Sequence, residues 1–302
     1  RTLKSYPNQF QPYNGIFGCN LLTSTDGFDH TLIRLPLRTR DEANEQLNQL
    51  AEGVFDSKDA VKPLVESLKK ASSTLLLFTQ NVVHVSVHEL NSKNPCEINA
   101  VMSVTLERMQ QMPRSISRQE GDMKTERNLL AATSACMENS SLSIPETTMI
   151  VKVTQETFAS NKTKKKCSQF IISSCMVQGE ILRLAGTDGR RAGVLPCGGV
   201  AAELVAGVQG LTPKPVDGKA FSYLPLEVST GLPFHVNGNF LLQPNRRQLW
   251  SKPSSSKGEF EARWNICFIE SVLSRALFNL LQDLQTWQSQ NVVDARDFQS
   301  LW

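Results

Sequence analysis

The sequence predicts an α/β or α+β fold in two parts. Three observations carry that expectation. Apolar runs rich in β-branched residues alternate with helical repeats, the pattern of a domain that layers helices on a sheet. A long amphipathic pattern starts at Glu259 and continues to about Leu284, too long for a strand. The polar stretch at 91–95 (NSKNP) interrupts the pattern and divides the chain into residues 1–93 and 94–302.

The chain has 302 residues, 40% of them apolar and 20% charged, the balance of an ordinary globular protein with a sizeable core. A net charge of +3 on this length gives no basis for a nucleic-acid partner or an anionic membrane partner. No apolar run reaches bilayer length, and the opening residues lack the apolar core of a secretory signal. Seven cysteines, an odd number, are widely spread with no Cys-x-x-Cys pair. They read as reduced thiols of a cytoplasmic protein rather than a disulfide frame or a zinc site. The non-Met, motif-like start reads as a piece of a longer chain.

Taken in order, residues 1–30 are rich in Pro, Gly, Asn and Asp and read as a packed loop region. Residues 31–38 alternate and predict a strand, with Pro36 disturbing the count. Asp41 is an N-cap candidate for a helix to Gly53, and residues 56–71 repeat the helical pattern with Val61, Leu64, Val65 and Leu68. Residues 74–78 and 82–90 read as strands. His84 and His88 have a spacing that binds metal on a helix, but the valines between them indicate a strand and no third ligand is near, so a metal site is not expected. Residues 98–107 read as another strand, and 126–137 as helix. Residues 147–158 and 168–177 read as a strand pair, with the lysines at 162, 164, 165 and 166 as a solvated hairpin tip. Gly198 and Gly199 read as turn glycines; no P-loop or Gly-x-Gly-x-x-Gly pattern is present. Residues 200–208 and 219–228 read as sheet. Beyond the long helix, Trp287, Phe298 and Trp302 read as a loosely patterned tail.

The stretch 230–250 carries the densest signal. Phe234 and Val236 alternate, as do Phe240 and Leu242, and the Asn237-Gly238 pair between them predicts a tight hairpin over 233–242. Arg246 and Arg247 follow on a short connection closed by Trp250. Two guanidiniums there suit an anion, each offering a fixed fork of donors; a surface salt bridge to a nearby carboxylate is the alternative.

Residues 218–250, together with TLIRLPLRT at 31–39 and YPNQFQPYNGIFGC at 6–19, resemble the repeat-region signatures of the sacsin family of large cytoplasmic co-chaperones, in that family's order. More distantly, the chain is similar to the ninety-kilodalton heat-shock chaperones. The resemblance implies that residues 1–93 are the C-terminal part of a histidine-kinase-like (GHKL) ATPase domain and 94–302 a middle-type domain with a mixed sheet and a long helix. It implies Thr31 as the adenine-contacting threonine, preceded by His30 where those chaperones have glycine. It implies Arg246, with Arg247 as second choice, as the arginine that reaches the terminal phosphate. The Asn and Asp-x-Gly-x-Gly elements that hold nucleotide and magnesium do not occur here. ATP and Mg are therefore expected only in a longer chain, and this chain alone is expected neither to bind nor to hydrolyse ATP. The implied partners are the seventy-kilodalton heat-shock chaperone and client proteins. A non-catalytic scaffold with a decayed ATPase stands as the alternative. An independent hydrolase finds no nucleophile elbow.

Overall fold

A computed structural model describes residues 7–20, 28–35, 37, 41, 61–90, 97–111, 133–137, 146–159, 162–186, 193–207, 210–245, 248–250 and 258–289. The fold is mixed α/β, and its main feature is a large mixed sheet. Strand β1 is His84–Leu90, β2 Ile98–Gln111, β3 Glu146–Ala159, β4 Lys162–Met176, β5 Cys197–Gly207, β6 Gly210–Lys214, β7 Lys219–Ser222, β8 Leu224–Ser229 and β9 His235–Gly238. The helices are α1 Lys62–Ala71, α2 Glu180–Gly186, α3 Glu259–Phe268 and α4 Ser274–Ser289, the last two joined by a π turn, Ile269–Leu273. The nine strands run in the order β1-β2-β3-β4-β5-β9-β7-β8, with β6 also on β5. β5 is antiparallel to β4 along one edge, and shares its other edge between β9 and β6, both antiparallel. The β7–β9 pair is parallel, which makes the sheet mixed.

The chain forms two compact units, one of residues Arg1–Ala71, Ser86–Ser103 and Glu156–Lys164, the other of Ser72–Val85, Val104–Gln155 and Lys165–Trp302. In the second unit both faces of the sheet are covered, so consecutive residues are buried, 147–151 in β3 and 170–176 in β4. On one face Ile171, Val200, Ala202, Leu204 and Val236 join a core with Trp264, Phe268, Val272, Ala276, Leu280, Leu284 and Trp287. Those helical residues step mostly by four, and each such step overshoots a 3.6-residue turn by about 40°. The π turn takes up one residue and brings the stripe back to the sheet. Its Val272 carbonyl accepts the Cys175 thiol at 3.6 Å. On the opposite face the rings of Phe78, Phe221, His235 and Phe170 follow one another at 5.1, 5.6 and 6.2 Å.

Several expectations are overturned. No hairpin turns at Asn237-Gly238: both residues lie inside β9, whose four residues are all buried. Gly198 and Gly238 face each other across β5 and β9, and a Cβ on either would lie 2.6 or 2.2 Å from the Phe268 ring. The glycines thus seat a helix side chain on the sheet instead of making turns. Gly199 is likewise a strand residue, where a Cβ would meet the Ser174 hydroxyl at 2.4 Å. Residues 74–78 turn rather than extend, because Leu76, Leu77 and Phe78 are spent as a plug with buried side chains and not as a ladder. The described residues of 31–38 form no strand; Ile33 and Leu35 are 76% and 80% exposed. Lys162, Lys164, Lys165 and Lys166 are exposed residues of β4 itself, the strand beginning earlier than its apolar half suggests. Trp287 belongs to α4 and is buried, not part of a tail. The loop region near the N-terminus contains the short helical turns Pro7–Phe10, Gln11–Tyr13 and Ile16–Gly18. Asp41 is itself helical; the rest of that expected helix, the residues 112–132, Phe298 and Trp302 lie outside the described residues.

Candidate functional site

The site follows from how residues 216–265 are bolted together. Val216 N–H donates to Pro233 O (3.1 Å), Gly218 N–H to Leu232 O (2.9 Å) and Thr230 N–H to Gly218 O (2.9 Å). Only glycine fits at 218, since a Cβ would lie 2.2 Å from Phe234 O and 2.3 Å from Leu232 O. This knot delivers the chain into β9. There, the Lys219 N–H donates to His235 Nδ1 at 3.1 Å. Tyr223, between β7 and β8, holds a left-handed φ of 62°, a costly conformation for a bulky residue. Asn237 Oδ1 accepts its N–H at 2.9 Å, and Asn239 Nδ2 donates to its hydroxyl at 3.1 Å and to Leu195 O at 3.3 Å.

Beyond Asn239 the chain forms the connection that carries the arginines. Its arms are joined by a Leu242–Leu249 bridge, by Gln243 N–H to Gln248 O (2.9 Å) and by Trp250 N–H to Leu241 O (3.3 Å). The arms are then tied to α3. Trp264 Nε1 donates to Asn239 O at 2.8 Å. Asn265 Oδ1 accepts from Leu241 N–H (2.9 Å), while its Nδ2 donates to Leu241 O (2.8 Å) and Trp250 O (2.9 Å). Trp250 Nε1 reaches Leu242 O at 3.0 Å, and Gly258, at φ +93°, leaves the room that its ring fills; a Cβ there would lie 2.5 Å away. Paired arms therefore exist in the signature at 241–243 and 248–250, and no hairpin forms over 233–242.

Arg246 and Arg247 lie outside the described residues. Thr31 is described, exposed and without strand geometry, and belongs to the other unit. The residues that sequence reasoning missed are Tyr223, Asn239 and Asn265. A signal for Asn265 was present: an amide inside the apolar stripe between Trp264 and Phe268.

Three ionisable groups here, His235, Tyr223 and Cys197, are held neutral at pH 7. Burial first, then the Lys219 charge, lowers His235 to about 4, against the pull of Asp217. Burial raises the Tyr223 hydroxyl and the Cys197 thiol, each to about 12. Such groups position a loop but do not exchange protons near neutrality. His84 Nδ1 lies 2.9 Å from Thr105 Oγ1, and His88 Nε2 2.9 Å from Ser86 Oγ. Among the described residues no three His, Cys, Asp or Glu are grouped to hold a metal ion, and no helix is long and apolar enough to cross a membrane.

Comparison with known proteins now adds to this geometry. Residues 1–101 match the family model of the Sacsin domain. Over an alignment of 334 residues the chain is 26% identical to Sacsin of Homo sapiens, covering 95% of this chain and 7% of that protein. The chain is similar to a region of Sacsin. The chain thus spans a small part of its sacsin relative's length, and the arginine-bearing connection falls beyond the residues matched by the Sacsin-domain model. No solved structure matches the chain.

Proposed function

We propose that this sacsin-like region belongs to a cytoplasmic co-chaperone that works with the seventy-kilodalton heat-shock chaperone on client proteins. In this reading residues 1–93 are the end of a histidine-kinase-like ATPase domain and 94–302 a middle-type domain. Arg246 supplies a guanidinium to a nucleotide site completed by ATP- and Mg-binding residues outside this chain. The observation that carries the reading is the anchoring of the connection: a short hairpin whose two arms are fixed to a buried helix face is what a charge-stabilising finger requires. Arg246→Ala in a longer, ATP-hydrolysing chain is expected to lower turnover roughly a hundredfold, the value of one lost charge-stabilising donor. The melting temperature should not change. A surface salt bridge gives the opposite pairing, a lower melting temperature with turnover intact.

The second reading is a scaffold whose ATPase has decayed. Two observations favour it. His30, Thr31 and Ile33 are exposed without strand geometry, and a cleft of ≈ 670 Å³ beside the connection is lined by Ser222, Leu224, Leu226, Phe240, Leu242, Gln243 and Pro244, none of them charged. Unchanged hydrolysis by Arg246→Ala would select this reading.

A further inference from the structure

We propose that the exposed start of β4 is a docking edge for an extended acidic peptide, which pairs with the strand and sets its carboxylates against Lys162, Lys164 and Lys166. β4 runs without interruption from Lys162 to Met176, and its first six residues are all exposed. Its pairing with β5 starts only at Gln169, opposite Leu204. Residues 162–168 therefore have one edge with no strand partner among the described residues. Such an edge offers backbone donors and acceptors to another strand.

Alternate residues of a strand share a face, so Lys162, Lys164 and Lys166 form one row with a repeat of about 7 Å. None of the three is ion-paired among the described residues, whereas Lys69, Lys152 and Lys214 each hold a carboxylate, at 2.7, 3.2 and 3.5 Å. On the other edge of β4 lies β3. Thr148 Oγ1 donates to Ser173 Oγ at 3.1 Å and Thr154 Oγ1 lies 3.8 Å from Cys167 Sγ, contacts that one antiparallel register satisfies. Continued along the pair, that register sets Gln155, Thr157 and Ala159 opposite Lys166, Lys164 and Lys162, and Glu156 opposite Lys165 on the other face. The row thus faces no acid on its neighbour strand. Lysines on an open edge keep ordinary strands away, because pairing would bring uncompensated charge together. A strand with carboxylates at alternate positions has the same repeat and reverses that effect. A nucleic acid needs aromatic faces for its bases and a membrane needs apolar side chains to insert, and the row has Gln155, Thr157 and Ala159 beside it instead.

The test is fluorescence anisotropy of the whole chain with a labelled peptide of about ten residues alternating Glu and Thr, a repeat that matches the row. Saturable binding is expected, and it should weaken several-fold as salt rises from about 0.05 to about 0.5 M. Lys162→Gln, Lys164→Gln and Lys166→Gln together should weaken it roughly tenfold, the sum of three exposed ion pairs, while Lys165→Gln should change it less than about twofold. A peptide of the same composition with its Glu residues in one block should bind more weakly, and the alternating peptide should slow amide hydrogen exchange at residues 163–168. Equal binding of the block peptide, or unchanged exchange at those amides, would overturn strand pairing. No binding of the alternating peptide would overturn the proposal and leave the lysines as a deterrent to pairing. Tighter binding of oligothymidine, or of vesicles containing phosphatidylserine, would overturn the peptide in favour of nucleic acid or membrane. The block-peptide and exchange measurements use the unsubstituted chain, so they decide the matter even if the triple variant does not fold.

Discussion

Helices α1 and α4 carry apolar stripes of the same kind and meet different fates. In α4 and the turn before it, Val272, Ala276, Leu280, Leu284 and Trp287 are all buried against the sheet. Around α1, Val61, Leu64, Val65 and Leu68 keep helical spacing, yet no described side chain of the helix is buried and Leu64 is 68% exposed. Periodicity decides that a segment becomes a helix. Whether its face contributes to stability depends on a partner surface, which for α4 is built from strands some of which lie more than a hundred residues away in sequence.

The largest test of that contrast is Leu280→Ala. Leu280 is 1% exposed in a close-packed cluster, so truncation removes its transfer energy and leaves a cavity, at about 3 to 4 kcal/mol. Urea unfolding of the variant measures it. A loss under about 1 kcal/mol would mean that α4 is packed no better than α1.

Next in size is a pH effect confined to the covered sheet. His235 titrates at about 4 in the folded chain against 6.5 when unperturbed, because burial and then Lys219 oppose its charge. The unfolded chain therefore takes up the proton first. Stability attributable to this site is complete above pH 6.5 and falls as pH drops toward 4, by at most about 3 kcal/mol. Urea midpoints at neutral and acid pH should differ less in His235→Gln, which keeps an acceptor for the Lys219 N–H. An equal acid loss in the variant would place the sensitivity elsewhere.

A smaller effect is expected from Gly238→Ala. Its methyl would meet the Phe268 ring at 2.2 Å, and the overpacking should cost about 2 kcal/mol. Pairing it with Phe268→Leu should recover part of the loss by coupling between neighbours. If Gly238→Ala were neutral, the glycine would not be what lets α3 sit on β9.

These cases show what was legible in the sequence. The cores of β3, β4 and β5 and the long C-terminal helix were readable because each carries its own periodicity over many residues. Asn237-Gly238 misled because the same dipeptide serves a turn, where φ is positive, and a close approach, where only the missing Cβ matters; local sequence does not tell them apart. Leu76 to Phe78 misled because a buried apolar triplet is equally a strand or a plug, and the partner that decides, Phe221, is distant in the chain. At the site, the loop and its Trp250 anchor were visible, but the amide that ties them to α3 was hidden within a helical stripe. The arginines themselves lie outside the described residues, so their role rests on resemblance and on the rigidity of the arms.

The smallest expected effect completes the comparison. Leu64→Ala makes the same chemical change as Leu280→Ala, on a side chain that is already two-thirds exposed. Little apolar area returns to water, no cavity forms, and alanine is a slightly better helix former, so the terms nearly cancel. The change in unfolding free energy should stay within about 0.5 kcal/mol, the range of surface substitutions. Because both variants lose the same atoms, the difference between their urea midpoints isolates what a partner surface contributes. Equal losses at the two positions would break the comparison, since they would mean that the stripe of α1 is covered in solution by a surface outside the described residues, and the helix would then belong to a core as α4 does.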